Sequence, residues 1–120
     1  MSTKKILFPT DFSVESVHAL RETLMLNQKL QYEIIIFHAY NRPFRKGDSS
    51  GNPKTQLKEF ELRIDHKFEK MLEKIPELKS HNYRFEKALG YSVDMIIETI
   101  EKEKIDVVSM STKGAVGVGD

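Results

Sequence analysis

The chain has 120 residues, a length that suits one domain with a single modest core. It carries 19 basic and 18 acidic residues, and the formal charge of +1 provides no global field for nucleic acid or membrane surfaces. Because cysteine is absent, disulfides, thiolate metal sites and cysteine nucleophiles are excluded. Neither a signal-peptide core nor a bilayer-spanning apolar run is present, so we expect one cytoplasmic domain over residues 1–120.

A short apolar run near the start of the chain predicts the central strand of a parallel sheet. It follows Lys4 and Lys5 and ends at the turn Pro9-Thr10-Asp11, as expected for a buried strand followed by a polar loop. Ser13 is the expected N-cap of a helix over Val14–Leu30. The apolar stripe predicted to face the sheet comprises Val17, Leu20, Leu24, Leu26 and Leu30.

The middle of the chain predicts a second strand, a surface loop and a long helix. Residues Glu33–Ala39 form a β-branched and aromatic run, which is typical of a strand buried on both faces. Turn-forming and basic residues predict a loop over Asn41–Lys54. A helix over Thr55–Ile75 follows, and Pro76 ends it. Its apolar stripe is the clearest in the chain: Leu57, Phe60, Ile64, Phe68, Met71 and Ile75.

The last third of the chain predicts two more strands with a helix between them. An edge strand over Tyr83–Ala88 ends at Gly90. Ser92 is the expected N-cap of a helix that ends near Lys104, and Ile105–Met110 forms a fourth strand. The inward residues of that helix are predicted to be Val93, Ile96, Ile97 and Ile100. This alternation of strands and helices predicts right-handed crossovers and a parallel sheet.

Two features follow predicted strands and carry candidate chemistry, because open α/β sheets bind ligands outside the carboxyl ends of their strands. Asp11 could accept hydrogen bonds from ribose or an adenine amine, or bind Mg²⁺ beside phosphates. A place in the first helix cap is an equally open reading of Asp11. The glycine-rich residues Ser111–Asp120 could bring backbone N–H groups to a phosphate, or form a flexible tail.

Other candidate sites receive little support from the sequence. The four histidines lack metal-ligand spacing, although His38 ends the second strand beside the presumed crevice. Neither Ser13 nor Ser111 lies in a nucleophile-elbow sequence. The basic cluster around Arg45 is too small for a nucleic-acid footprint. We therefore expect no metal site built by histidines, no hydrolase chemistry, and neither nucleic acid nor a membrane as a partner.

Four segments together resemble the universal stress protein family. They are Lys4–Ser13, Phe37-His38-Ala39, Gly90 before a helix, and Asp106–Gly114. The resemblance implies an α/β fold with an open parallel sheet of the adenine nucleotide α-hydrolase-like, Rossmann-like type. The implied strand order is 3-2-1-4, with the family's fifth strand and fourth helix missing. We accordingly expect residues 1–120 to form one universal stress protein domain, incomplete at its C-terminus.

Many members of that family bind ATP, and the resemblance implies where a nucleotide would bind here. The implied contacts are to adenine and ribose from Pro9, Thr10 and Asp11, a backbone contact from Ala39, packing of Met110 against the base, and approach of Gly114 to the phosphates. Lys113 could add a counter-charge for the phosphates, and Ser111 is counted among the site residues. Ser111 stands at the first glycine of the family's nucleotide motif, and the final Gly-Ser/Thr pair of that motif would fall beyond Asp120. Weakened ATP binding, with Mg²⁺, is therefore expected.

The resemblance implies a stress-response regulator that binds adenine nucleotide and has no efficient chemistry of its own. A nucleotide-independent protein–protein interaction or signalling module is the alternative, and a slow ATPase is a third reading. Without a fifth strand, the edge of the fourth strand would be exposed and part of one sheet face would be left open. Such surfaces pair with other chains, so self-association is expected.

Overall fold

Four parallel strands alternate with three α-helices in the computed structural model, which describes residues 3–41 and 53–111. The strands are β1 (Lys5–Pro9), β2 (Glu33–Tyr40), β3 (Tyr83–Leu89) and β4 (Val107–Val108). The helices are α1 (Val14–Leu30), α2 (Pro53–Lys74) and α3 (Ser92–Glu103), with a 3₁₀-helix at Pro76–Ser80. The strands lie in the order β3-β2-β1-β4, which confirms the predicted α/β class and sheet order.

β1 lies inside this sheet, with a neighbouring strand on each side, as the implied strand order 3-2-1-4 predicts. It pairs with β2 from Lys5↔Glu33 to Pro9↔Phe37. On its other side it pairs with β4 through Ile6↔Val107 and Leu7↔Val108. The winding direction therefore reverses at β1, and in open α/β sheets this is the place where ligands bind.

The two faces of the sheet bury different helices. Alternate strand residues, Ile6 and Phe8 among them, pack against α1 and α2. The residues between them, including Leu7, pack against Ile96 and Ile100 of α3. This arrangement follows from right-handed crossovers, because chain segments that wind in opposite directions from β1 lie on opposite faces.

The buried face of α1 differs from the predicted stripe. Leu20 and Leu24 are buried, but Leu26 and Leu30 are 69% and 46% exposed. At 3.6 residues per turn Leu26 lies about 200° from Leu24, so both leucines cannot face the sheet. Polar Ser16, Thr23 and Asn27 take the remaining buried positions. The prediction that Leu26 and Leu30 face the sheet was wrong.

The predicted face of α3 also needs correction. Ile96 and Ile100 pack on the sheet as expected, whereas Val93 and Ile97 are exposed. Thr99 is buried instead, because it lies one turn beyond Met95, which also faces inward. The N-cap is Tyr91, which makes no side-chain capping bond, and Ser92 is the first helical residue.

Several predicted boundaries shift. Pro53 and Lys54 belong to α2 rather than to the preceding loop, since proline is tolerated in the first turn of a helix. The fourth strand is shorter than predicted, although hydrogen bonds from the amides of Asp106 and Ser109 keep the chain beside β1. Most of the predicted loop over Asn41–Lys54, and residues 112–120, lie outside the described residues.

The sheet face that carries α3 is not open at its centre. Leu7, Ile35 and Phe37 of that face are fully buried or nearly so. Val108 of β4, which pairs with Leu7 of that face, is 39% exposed. Of the apolar surface expected to be open on this face, β1 and β2 are covered by α3, and Val108 at the β4 end is left exposed. Within the described ranges, no helix is long and apolar enough to cross a membrane.

A cluster of charged side chains ties β1, β3 and α3 together. Arg84 Nη2 donates to Glu103 Oε1 at 2.8 Å, and Lys5 Nζ lies 3.4 Å from the same oxygen. The hydrogen bond from Arg84 lowers the pKa of the Glu103 carboxyl, against the opposing effect of burial. Burial lowers the pKa of Arg84, but its bond to Glu103 and neighbouring carboxylates outweigh this and raise that pKa overall.

Replacing Glu103 should change how folding stability depends on pH. A carboxyl whose folded pKa is lowered stabilises the fold fully above its unfolded pKa of about 4.3 and loses this contribution as pH falls toward the folded value. Wild type should therefore lose stability over that acidic range, and Glu103→Gln should show a flatter profile. Urea denaturation at several pH values measures this. Glu101→Gln, at an exposed position of the same helix, is the control and should follow wild type.

Candidate functional site

A cavity of about 370 Å³ opens at the carboxyl ends of the central strands. This volume lies in the range of small-molecule sites, roughly 300–1,000 Å³. The residues that line it are Pro9, Thr10, Asp11, Phe37, His38, Ala39, Ser92, Ile96, Met110 and Ser111. The cavity therefore lies at the reversal of winding around β1, where ligand binding is expected in this class of sheet.

The structure brings most of the predicted site residues into this one cavity. Pro9, Thr10 and Asp11 come from the end of β1, Ala39 from β2, and Met110 and Ser111 follow β4. The predicted residues Lys113 and Gly114 lie outside the described residues.

The hydroxyl of Thr10 is bound within the loop that follows β1. It accepts a hydrogen bond from the Phe12 amide at 3.0 Å and lies 2.5 Å from the hydroxyl of Ser16. The Thr10 amide donates to the carbonyl of Phe37 at 2.8 Å, which extends the β1–β2 pairing by one bond. Thr10 is 7% exposed, so its side chain stabilises the loop beneath the cavity.

Asp11 combines the two roles left open by the sequence. Its Oδ1 accepts a hydrogen bond from the Ser13 amide at 2.9 Å, an Asx-turn that supports the helix cap. Ser13 is the N-cap, as predicted, because its hydroxyl accepts from the Ser16 amide at 3.1 Å. Asp11 is also exposed and lines the cavity. A carboxylate is thus held at the cavity by the same turn that starts α1.

Phe12 occupies an unfavourable backbone conformation between these two residues. Its φ of 64° lies in the left-handed region, which costs about 1–2 kcal/mol for a residue with a side chain. The ring packs against His38, with 4.7 Å between ring centroids, and meets Phe68 edge-on at 5.0 Å. His38 Nδ1 donates to the carbonyl of Thr10 at 2.7 Å. Contacts from β2 and α2 therefore fix the loop from one side.

The backbone of Ala39 is directed toward the cavity. In β2, Glu33 N donates to Lys4 O at 2.9 Å and Phe37 O accepts from Thr10 N, so alternate residues face β1. Ala39 shares that direction but lies beyond Pro9↔Phe37, the last register pair with β1. Its N–H and C=O groups therefore point past the end of β1.

The start of α3 forms a further wall of the cavity. Gly90 has a φ of 150°, and a Cβ at this position would lie 2.9 Å from Met95 Cγ and Sδ. Glycine is therefore required where the chain leaves β3 and turns into α3. This turn places Ser92 and Ile96 beside the carboxyl ends of the strands. Together with Phe37 and Met110, Ile96 contributes apolar surface to the cavity lining.

Sequence reasoning did not assign four of the lining residues to the site: Phe37, His38, Ser92 and Ile96. His38 had been noted as close to the crevice, and Phe37 immediately precedes it. The signal for Ser92 and Ile96 was Gly90, since a helix that starts directly after a parallel strand begins at the carboxyl edge of the sheet. The face to which α3 packs was needed to place them.

A second cavity of about 350 Å³ lies at the opposite edge of the sheet, around Asn27, Tyr32 and His81. Its buried side chain, Asn27, bonds both backbone groups of Tyr32, at 2.8 and 3.0 Å. These contacts join α1 to the start of β2. In residues 3–41 and 53–111, no group of three or more acidic, histidine or cysteine side chains is placed to hold a metal ion.

The comparisons with known proteins agree with this architecture. The sequence matches the profile of the universal stress protein family over residues 2–120. The chain belongs to that family. A search of curated proteins gave no match. This universal stress protein shares its fold with several solved relatives.

One is the universal stress protein UspA from Lactobacillus plantarum, at 15% identity and a TM-score of 0.72, covering 98% of this chain and 85% of that one. Another is a protein of the universal stress protein family from Burkholderia pseudomallei, at 12% identity and a TM-score of 0.71, covering 92% of this chain and 82% of that one. A third is a universal stress protein in complex with cAMP, at 16% identity and a TM-score of 0.64, covering 90% of this chain and 72% of that one.

Proposed function

We propose that this universal stress protein binds an adenine nucleotide, ATP with Mg²⁺, in the cavity around Asp11 and acts as a nucleotide-responsive regulator in the stress response. The observation that supports this proposal is the convergence of Pro9, Thr10, Asp11, Ala39, Met110 and Ser111 on one cavity. A universal stress protein of the same fold, in complex with cAMP, adds support for an adenine nucleotide. The proposed unit is a single domain.

The chemistry of the cavity suits a nucleoside. Phe37, Ile96 and Met110 offer an apolar wall for a flat base, and the backbone groups of Ala39 can bond its polar edge. The carboxylate of Asp11 accepts hydrogen bonds and donates none, so it can bond ribose hydroxyls. Ser111, with Lys113 and Gly114 beyond the described residues, would approach the phosphates.

Binding of Mg²⁺ would depend on ligands from the nucleotide as much as on ligands from the protein. Mg²⁺ is usually held by one or two carboxylates together with substrate phosphates and water, rather than by an all-protein cage. Among the described residues that line the cavity, Asp11 is the one acidic side chain. A site with a single carboxylate fits a metal that arrives with the phosphate chain. We assign no efficient chemistry to the protein, and a phosphate-release assay tests a slow ATPase.

Removing the charge of Asp11 should weaken nucleotide binding. Hydrogen bonds to a charged group contribute about 1.5–3 kcal/mol, so Asp11→Asn should lower the affinity for ATP and for adenosine by roughly tenfold or more. Asparagine keeps a side-chain oxygen for the Ser13 amide, and the helix cap should therefore survive. Calorimetric titration with ATP, AMP and adenosine measures the effect.

Asp106→Asn is the matched control, because Asp106 precedes β4 whereas the cavity residues follow it. The Oδ2 atom of Asp106 accepts a hydrogen bond from the Lys5 amide at 2.9 Å. Its nucleotide affinity should equal that of wild type. Equal affinities for wild type and Asp11→Asn would contradict the proposed role of Asp11. If wild type binds no nucleotide and Ser111→Gly restores none, a nucleotide-independent interaction module becomes the better account.

We also propose that the chain self-associates through the β4 edge. Val107 is exposed on the sheet face that carries α1, because it pairs with Ile6 of that face. Leu26 and Leu30 lie on the α1 stripe that includes Thr23, whose hydroxyl is 2.7 Å from that of Ser109. An exposed strand edge beside apolar side chains is a surface on which another strand can pair.

A lysine on this edge should reduce self-association. Charged side chains on edge strands oppose pairing with another chain, so Val107→Lys should shift the mass measured by light scattering toward the monomer. Leu62→Lys places the same charge at an exposed apolar position of α2 and should leave the mass unchanged. A wild-type protein that is monomeric at every concentration would refute the proposal.

A further inference from the structure

We infer that His38 is a positioning residue that holds residues 10–13 in a ligand-ready conformation and thereby sets the affinity of the cavity. The inference rests on the proposed nucleotide site, whose carboxylate, Asp11, lies in this loop. His38 acts through the backbone of Thr10 rather than by contact with the ligand. It is therefore distinct from the residues that the family resemblance assigns to the nucleotide.

The first observation is the direction of the His38 hydrogen bond. Nδ1 lies 2.7 Å from the carbonyl oxygen of Thr10. A carbonyl oxygen can only accept, so Nδ1 carries the proton and donates. The imidazole is thereby fixed in orientation, and the carbonyl that immediately precedes Asp11 is held in place.

The second observation is the unfavourable conformation that this bond helps to maintain. Phe12 has a φ of 64°, and such a conformation persists only where the surroundings enforce it. The ring of His38 supplies one of those surroundings, because it packs directly on the Phe12 ring. His38 therefore restrains the loop twice, at the carbonyl of Thr10 and at the side chain of Phe12.

The third observation is that the hydrogen bond from His38 joins residues that are far apart in the chain. The side-chain hydrogen bonds described for Thr10, Asp11 and Ser13 join residues of the loop and of the first turn of α1 to one another. The bond from His38 instead joins the loop to β2 across 28 residues. It fixes the loop relative to the sheet, and hence Asp11 relative to the backbone of Ala39, which belongs to the same strand as His38.

The functional consequence is preorganisation. A loop that is already ordered does not lose conformational freedom when the ligand binds, and the affinity is correspondingly higher. Loosening residues 10–13 would let Asp11 move relative to Ala39, so the two groups would no longer engage one ligand together. The loss should therefore appear for adenosine as well as for ATP, because both groups serve the nucleoside.

Two substitutions that differ by one methylene separate positioning from direct contact. In His38→Asn, the side-chain NH₂ can occupy the place of Nδ1 and donate to the Thr10 carbonyl. In His38→Gln, the amide lies farther along, near the place of Nε2. If His38 acts by positioning, the adenosine affinity of His38→Asn should lie within about twofold of wild type. The affinity of His38→Gln should be at least about fivefold weaker, because one hydrogen bond to the loop is lost.

Amide hydrogen exchange of the ligand-free protein gives a readout that does not depend on nucleotide binding. Phe12 and Ser13 donate their amides within the loop, so exchange there reports its order. These amides should exchange faster in His38→Gln than in His38→Asn or wild type, while those in the middle of α1 stay protected in all three proteins. Protection in α1 checks that both variants fold.

The affinities and exchange rates of the two variants decide whether His38 positions the loop. Tighter binding by the glutamine variant than by the asparagine variant would show direct contact through Nε2 and overturn the inference. Equal affinity for all three proteins, or unchanged exchange at Phe12 and Ser13, would overturn it as well. If wild type binds no adenine nucleotide, the proposed function fails, yet faster loop exchange confined to His38→Gln would still support the positioning of the loop by His38.

Discussion

The pairing of β1 with a strand on each side is the constraint on which this structure depends. Leu7 and Phe8 are fully buried because β2 and β4 flank β1 and helices cover both faces of it. The chain winds one way from β1 to reach β2 and β3, and the other way to reach β4. Loops at the carboxyl ends consequently diverge around β1, and the cavity occupies the space between them.

The loop after β1 carries the polar groups of the cavity and is held by bonds of its own. Thr10, Asp11 and Ser13 each accept a hydrogen bond from a backbone amide in the loop or the first turn of α1, so the amides of Phe12, Ser13 and Ser16 are satisfied locally. This arrangement supports Phe12 in a left-handed conformation. The loop that lines the cavity is thus held by hydrogen bonds within itself and by the bond from His38 of β2.

The position of α3 determines the other wall. Gly90 allows the chain to turn directly from β3 into a helix, and α3 crosses to the opposite sheet face. Its first turn therefore comes to lie beside the end of β2, where Ile96 meets Phe37 in the cavity lining. A family profile identifies the fold of this chain, but the shape of its cavity follows from this particular turn and crossover.

The sequence alone determined the order of elements and the N-cap at Ser13, because these depend on local periodicity and on residues next to each other in the chain. The place of β1 between two other strands was expected from the strand order that the family resemblance implies. Six of the eight proposed site residues line one cavity, and the sequence pointed to them through the family resemblance together with the ends of the predicted strands. The tertiary structure decided which helix faces are buried. Leu26 and Ile97 are apolar yet exposed, while Asn27 is buried because the Tyr32 backbone satisfies its amide. It also decided the hydrogen-bond partner of His38, the carbonyl of Thr10, which lies 28 residues away in the chain and beyond the reach of any local pattern.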